Sequence, residues 1–204
     1  MKASSARIFS LLIIGTLLVT AGLAAFAAHM RAPAKALIDS ASRIRSTADA
    51  EHQIAVWRAR ADRSFWHEGA AQGGDYTYDV QVENGLLPRL HIAAPTMVGM
   101  TIGMHNRELR YVILVMFTGR EPSTTSGVWV QEWFGTDAVG VLHVNDKDKP
   151  LKATVDFRFD IPEAQRSNAF SLNATCFVEI GGCKTAEEIL PGVWQLTALA
   201  SQHP

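Results

Sequence analysis

Residues 73–85 read Gly-Gly-Asp-Tyr-Thr-Tyr-Asp-Val-Gln-Val-Glu-Asn-Gly, and the middle of this stretch alternates strictly. Tyr76, Tyr78, Val80 and Val82 fall on one side of an extended chain, and Thr77, Asp79 and Gln81 on the other. Period two marks a half-buried strand. Asn84-Gly85 supplies two residues that tolerate positive φ, so a tight hairpin turn is expected there, with 86–92 as the returning strand. Pro88 would confine that strand to an edge.

Working outward toward the carboxyl end, further strands are expected at 98–104, 109–118, 128–134, 139–144, 153–159, 170–178 and 193–199. Turn-forming clusters such as Gly135-Thr136-Asp137 and Gly181-Gly182 separate them. Only 185–190 reads as a short helical turn. Eight or nine short strands with a turn every ten residues or so favour an antiparallel β-sandwich of immunoglobulin-like type. The alternative is a pilin-like α+β arrangement, in which a long helix lies along an antiparallel sheet. A type IV prepilin pattern, with Gly before the apolar run and Glu five residues beyond, is missing.

Toward the amino end, residues 8–28 form an uncharged run of 21 residues preceded by Lys2 and Arg7. As a helix this run reaches about 30 Å, the thickness of a bilayer core. Basic residues on the short leading side place that side in the cytoplasm and send the remainder of the chain across the membrane. Ala25-Phe26-Ala27 also matches a signal-peptidase site, so cleavage near Ala27 would give a soluble exported domain. The expectation is a bacterial inner-membrane protein with one span and a periplasmic carboxyl-terminal domain. Residues 31–63 read as an amphipathic helix, with Pro33 in its first turn and mixed charges on its polar side. The chain then divides into an anchor or signal peptide over 1–30, a helical linker over 31–72 and an exported domain over 73–204.

The 204 residues are 48% apolar and 19% charged, with 19 basic and 20 acidic side chains and a net charge of −1. Such a chain can bury a real core and is not a disordered one. A balanced charge without a Lys/Arg run argues against nucleic acid as a partner.

Cys176 and Cys183 are the only cysteines, and an even count in an exported segment reads as a disulfide. Closing so short a loop constrains the unfolded chain by about 2–3 kcal/mol. Met97, Met100 and Met104, followed by His105, are soft donors that suit Cu(I), so a copper-binding or copper-delivering domain is the alternative function. The blander reading has these methionines filling core gaps. In a strand, Met100 and Met104 share one face while Met97 points to the other. Trp129, Trp133 and Phe134 form either a buried central strand or a contact patch for a protein partner. Asp146-Lys147-Asp148-Lys149 lacks the Gly and the terminal Glu of a calcium loop and reads as a charged turn. No nucleophile elbow, Walker loop, zincin motif or dinucleotide fingerprint occurs, so no enzyme is expected.

Residues 146–151 and Leu190-Pro191-Gly192-Val193-Trp194-Gln195-Leu196 resemble the exported domain of FixH-type cytochrome oxidase assembly proteins, which also follow a single membrane helix. The first two thirds of the chain do not match, and no functional residues carry over. The leading expectation is a non-enzymatic, single-pass membrane protein whose exported domain serves an envelope complex as an accessory or assembly component.

Overall fold

The structure, a computed structural model, describes residues 2–60, 65–70, 74–119, 125–134, 151–158, 160–179 and 181–200. Helix α1 (Lys2–Arg43) is unbroken, and α2 (Thr47–Arg58) comes after a three-residue corner. Then come β1 (Phe65–Ala70), β2 (Asp75–Glu83), α3 (Leu86–Arg89), β3 (Thr96–His105), β4 (Glu108–Thr118), β5 (Ser126–Trp133) and β6 (Lys152–Arg158). The carboxyl-terminal part is helical: α4 (Glu163–Ala169), a 3-10 turn (Ala174–Phe177), α5 (Ala186–Ile189) and α6 (Val193–Ala200).

The six strands make one sheet in sequence order, antiparallel from β1 to β5, with β6 parallel to β5. The protein is therefore mainly β behind an amino-terminal helix, but the described strands form a single layer where a sandwich was expected. The second layer is helical. Val80, Met100, Leu114, Val130 and Val155 lie in one cross-strand row, all at most 3% exposed, and face α1 and the carboxyl-terminal helices. From the segment expected to be a linker, Ala34, Leu37, Ile38, Ala41, Ile44 and Trp57 join this core.

Several local expectations change. The helix over 31–63 breaks at Ser46, whose extended backbone and hydroxyl cap the next helix by accepting from the Asp49 amide. Asn84-Gly85 does not make a tight turn. Asn84 is instead buried, with its side-chain amide donating to the carbonyls of Ala94 and Phe177 and its oxygen accepting from the Thr96 amide. The expected strand at 86–92 is α3 and a turn, although β2 and β3 still pair, Asp75 to His105 through Glu83 to Met97. The tight two-residue turn occurs at Asn106 and Arg107, both at positive φ. The stretch 170–178 holds a 3-10 turn rather than a strand and 193–199 is helical, which also removes the terminal strand in the cytochrome oxidase assembly resemblance. Phe65–Ala70 is a strand where the sequence pattern suggests a helix end. The strand expected at 139–144 and the charged turn at 146–149 lie outside the described residues.

A buried ion pair holds the corner between α1 and α2. The Arg166 guanidinium on α4 donates to both carboxylate oxygens of Glu132 on β5, at 2.7 and 2.6 Å. It also donates to the carbonyls of Ser42 and Ile44, which the end of α1 leaves unpaired. The two side chains are 2% and 1% exposed. Burial pushes the Glu132 carboxyl above its usual range, and the Arg166 contacts pull it back only in part. Just outside, exposed Arg45 pairs with Glu163, which holds the Glu163 carboxyl below its usual range.

Candidate binding face and cleft

The alternation that buries one face of the sheet turns Gly103, Tyr111 and Trp133 to the other as one cross-strand row. Val115 and Trp129, then Phe117 and Gly127, form further rows. These side chains are half-buried, and the rings pair across strands. Tyr111 and Trp133 have centroids 5.3 Å apart, and Phe117 meets Trp129 edge-on at 4.4 Å. Glycine is required beneath two of the rings. A Cβ on Gly103 would stand 2.3 Å from Tyr111 Cζ, and one on Gly127 would stand 2.6 Å from Phe117 Cδ1.

At one end of this face lies a cleft of about 400 Å³ bordered by Tyr76, Tyr111, Trp133, Phe134, Arg110 and the Asp75–His105 pair. His105 Nδ1 meets the Asp75 carboxylate, and its Nε2 lies 2.9 Å from Asn106 Nδ2. Burial raises the Tyr111 phenol above its usual range, and Asp79 and Asp75 push it the same way. Aromatic walls beside the Asp75 carboxylate suit an apolar or cationic side chain. The Asp75–His105 pair sets an imidazole and a carboxylate in direct contact at the rim of the cleft. Among the described lining residues, however, the hydroxyl of Thr77 is committed to the Gly69 carbonyl at 3.3 Å, so it is not poised as a nucleophile.

The structure separates the residues singled out from the sequence. Cys176 and Cys183 are joined by a disulfide, with Cys176 in the 3-10 turn where a strand was expected. Met100 and Met104 are buried in the core at 1% and 6% exposure, whereas Met97 and His105 face the open side. Met97 and His105 are eight residues apart in one strand, about 26 Å, so one ion cannot touch both. Trp129 and Trp133 share the open face, but Phe134, past the strand end, packs against the core. The Asp75–His105 pair is invisible in the sequence because its partners are 30 residues apart and each alone is an ordinary polar residue. Phasing Tyr111 and Phe117 against Trp129 and Trp133 is the signal that could have revealed the aromatic rows.

Residues 13–43 of α1 are long and apolar enough to cross a membrane, or to serve as a signal sequence. Among the described residues, no three His, Cys, Asp or Glu side chains gather in a metal-holding group. Comparison with protein-family models, with curated proteins and with solved structures finds no match.

Proposed function

We propose that this chain is a non-enzymatic, single-pass protein of the bacterial inner membrane whose periplasmic domain is an accessory or assembly component of an envelope complex. The observation that carries this reading is the continuity of α1. Its exposed apolar part runs without a break into residues that lie in the core of the domain. A helix shared between bilayer and core fixes the domain's orientation, and a fixed orientation serves a protein that must present one face to membrane neighbours. The half-buried aromatic face around Trp129 and Trp133 is the surface such neighbours would meet. The disulfide fits an oxidising compartment.

The test is site-specific photo-crosslinking in membranes, with the reactive group at Gln131 between the two tryptophans and a control on α2 at Glu51. A discrete adduct from Gln131 but not from Glu51, retained through purification in mild detergent, is expected. Recovery of this chain alone, with no adduct at Gln131, would refute the reading.

A further inference from the structure

We propose that the loop over residues 86–92 is a second membrane contact, sinking Leu90 and Ile92 into the interface of the bilayer that α1 crosses. This rests on the reading of α1 as an uncleaved anchor. Apart from the apolar part of α1, the exposed large hydrophobic side chains among the described residues are Tyr76, Leu90 and Ile92, and two of these three occupy this loop. Leu90 is 55% and Ile92 45% exposed, while Leu87 beneath them is 2% exposed and fixes the loop to the core. The loop is ordered by its own bonds, Leu87 N to Asn84 O at 2.9 Å and Ile92 N to Leu87 O at 3.0 Å. Its two apolar tips therefore project from a built platform.

The direction of α1 places this loop toward the membrane. The carboxyl end of α1 lies near the end of the sheet that carries early β4 and late β5. There Thr47 Oγ1 accepts from the Leu109 amide, and Arg166 joins Ser42 and Ile44 to Glu132. Further back, α1 packs on the 3-10 turn. That turn is bonded to the opposite end of the sheet, through Asn84 Nδ2 to Phe177 O and Thr96 Oγ1 to Cys176 O. Asn84 and Thr96 are the stems of the loop. The apolar run thus leaves the domain at the end where the loop sits.

No spacer separates the two. The uncharged run ends at Ala28, and Ala34 is already fully buried in the domain. Six helical residues rise about 9 Å, which is close to the depth of one headgroup layer, about 5–8 Å. The near end of the domain must therefore rest at headgroup level. Leu90 and Ile92 then meet the headgroup–acyl boundary, with Arg89 and Arg31 at the height of the phosphates.

The closing experiment uses the full chain in phosphatidylethanolamine/phosphatidylglycerol vesicles. Both native cysteines are in the disulfide, so a single added Cys takes an environment-sensitive fluorophore selectively. Leu90→Cys and Ile92→Cys are compared with Glu108→Cys at the far end of the sheet. Probes at 90 and 92 are expected to brighten several-fold, to shift to the blue and to be quenched by a shallow lipid-borne nitroxide, with the probe at 108 unaffected. If the protein resists alkaline extraction but both loop probes keep water-like emission, the anchor stands and the loop contact is overturned. If alkali releases the protein, the anchor reading falls and takes this proposal with it.

Discussion

Arg166→Met is the substitution that tests the corner between α1 and the domain most sharply. It removes the cation but keeps an unbranched apolar side chain along the path of the arginine stem. Glu132 then stays 1% exposed without its partner, and the Ser42 and Ile44 carbonyls lose their donor. An uncompensated buried charge costs about 3–5 kcal/mol, a large share of the about 5–15 kcal/mol that holds a domain folded. The double variant Arg166→Met/Glu132→Met relieves the charge but leaves the two carbonyls, at about 1–3 kcal/mol each where water cannot reach them. It should therefore recover part of the loss and stop short of the parent. Glu132 sets the sign of the pH effect. Its folded value already lies above the usual range because of burial, and removing Arg166 raises it further. A raised folded value favours the folded state below the ordinary carboxylate value, and that advantage fades as pH rises through the folded value. Arg166→Met should accordingly be weakest at neutral pH and regain stability on acidification, more steeply than the parent. Urea unfolding in detergent, monitored by tryptophan fluorescence at several pH values, measures both effects. A loss below about 1 kcal/mol, the range of an exposed pair, or a double variant as stable as the parent, would refute the argument.

Other consequences are simpler to test. Asn84→Ala leaves the Thr96 amide and the Phe177 carbonyl without this partner, while the Ala94 carbonyl keeps Thr96 Oγ1, and at about 1–3 kcal/mol for each one left dry the loss should be among the largest from a single side chain. Hydrogen exchange should accelerate at the amide of Thr96. Gly103→Ala should displace the Tyr111 ring at a cost of about 1–3 kcal/mol, visible as a changed near-ultraviolet circular dichroism signal. Arg107 holds positive φ in the β3–β4 turn, so Arg107→Gly should raise stability by about 1 kcal/mol, read as a higher midpoint in urea. Reducing the disulfide should lower stability by about 2–3 kcal/mol, seen as a lower thermal midpoint with reductant.

The strands that can be read from the sequence are those whose two faces differ. β2 alternates polar and apolar residues along its length, and its position is plain. β3, β4, β5 and β6 can be placed within a residue or two at most ends because β-branched and aromatic residues fill them between turn formers. The layer architecture is not legible, for a reason visible in β4. Tyr111, Ile113, Val115 and Phe117 are as apolar as Val112, Leu114 and Met116, and a strand apolar on both sides suggests a second sheet. The helical layer that covers one side instead comes from α1 and from 163–200. There, runs such as Phe170-Ser171-Leu172 and Val193-Trp194 are too short for periodicity to separate helix from strand. Arg166 gives no signal either, since an isolated Arg is nearly always solvated and its carboxylate lies 34 positions away.

The long helix acquires a second meaning from that corner. In the proposed anchored protein, bilayer insertion would constrain α1 along its axis but leave rotation about the axis and the angle of the attached domain open. Core contacts from Ala34 to Ile44 set the rotation, because only one stripe of the helix fits the sheet. Arg166 sets the angle, because its bonds to Ser42, Ile44 and Glu132 tie the end of the helix to the end of β5 through a single planar group. A flexible linker would have needed neither device. If orientation is what the buried charge secures, Arg166→Met/Glu132→Met should fold and remain in the membrane yet lose the crosslink at Gln131. Wild-type crosslinking by that double variant would mean that the pair serves stability alone.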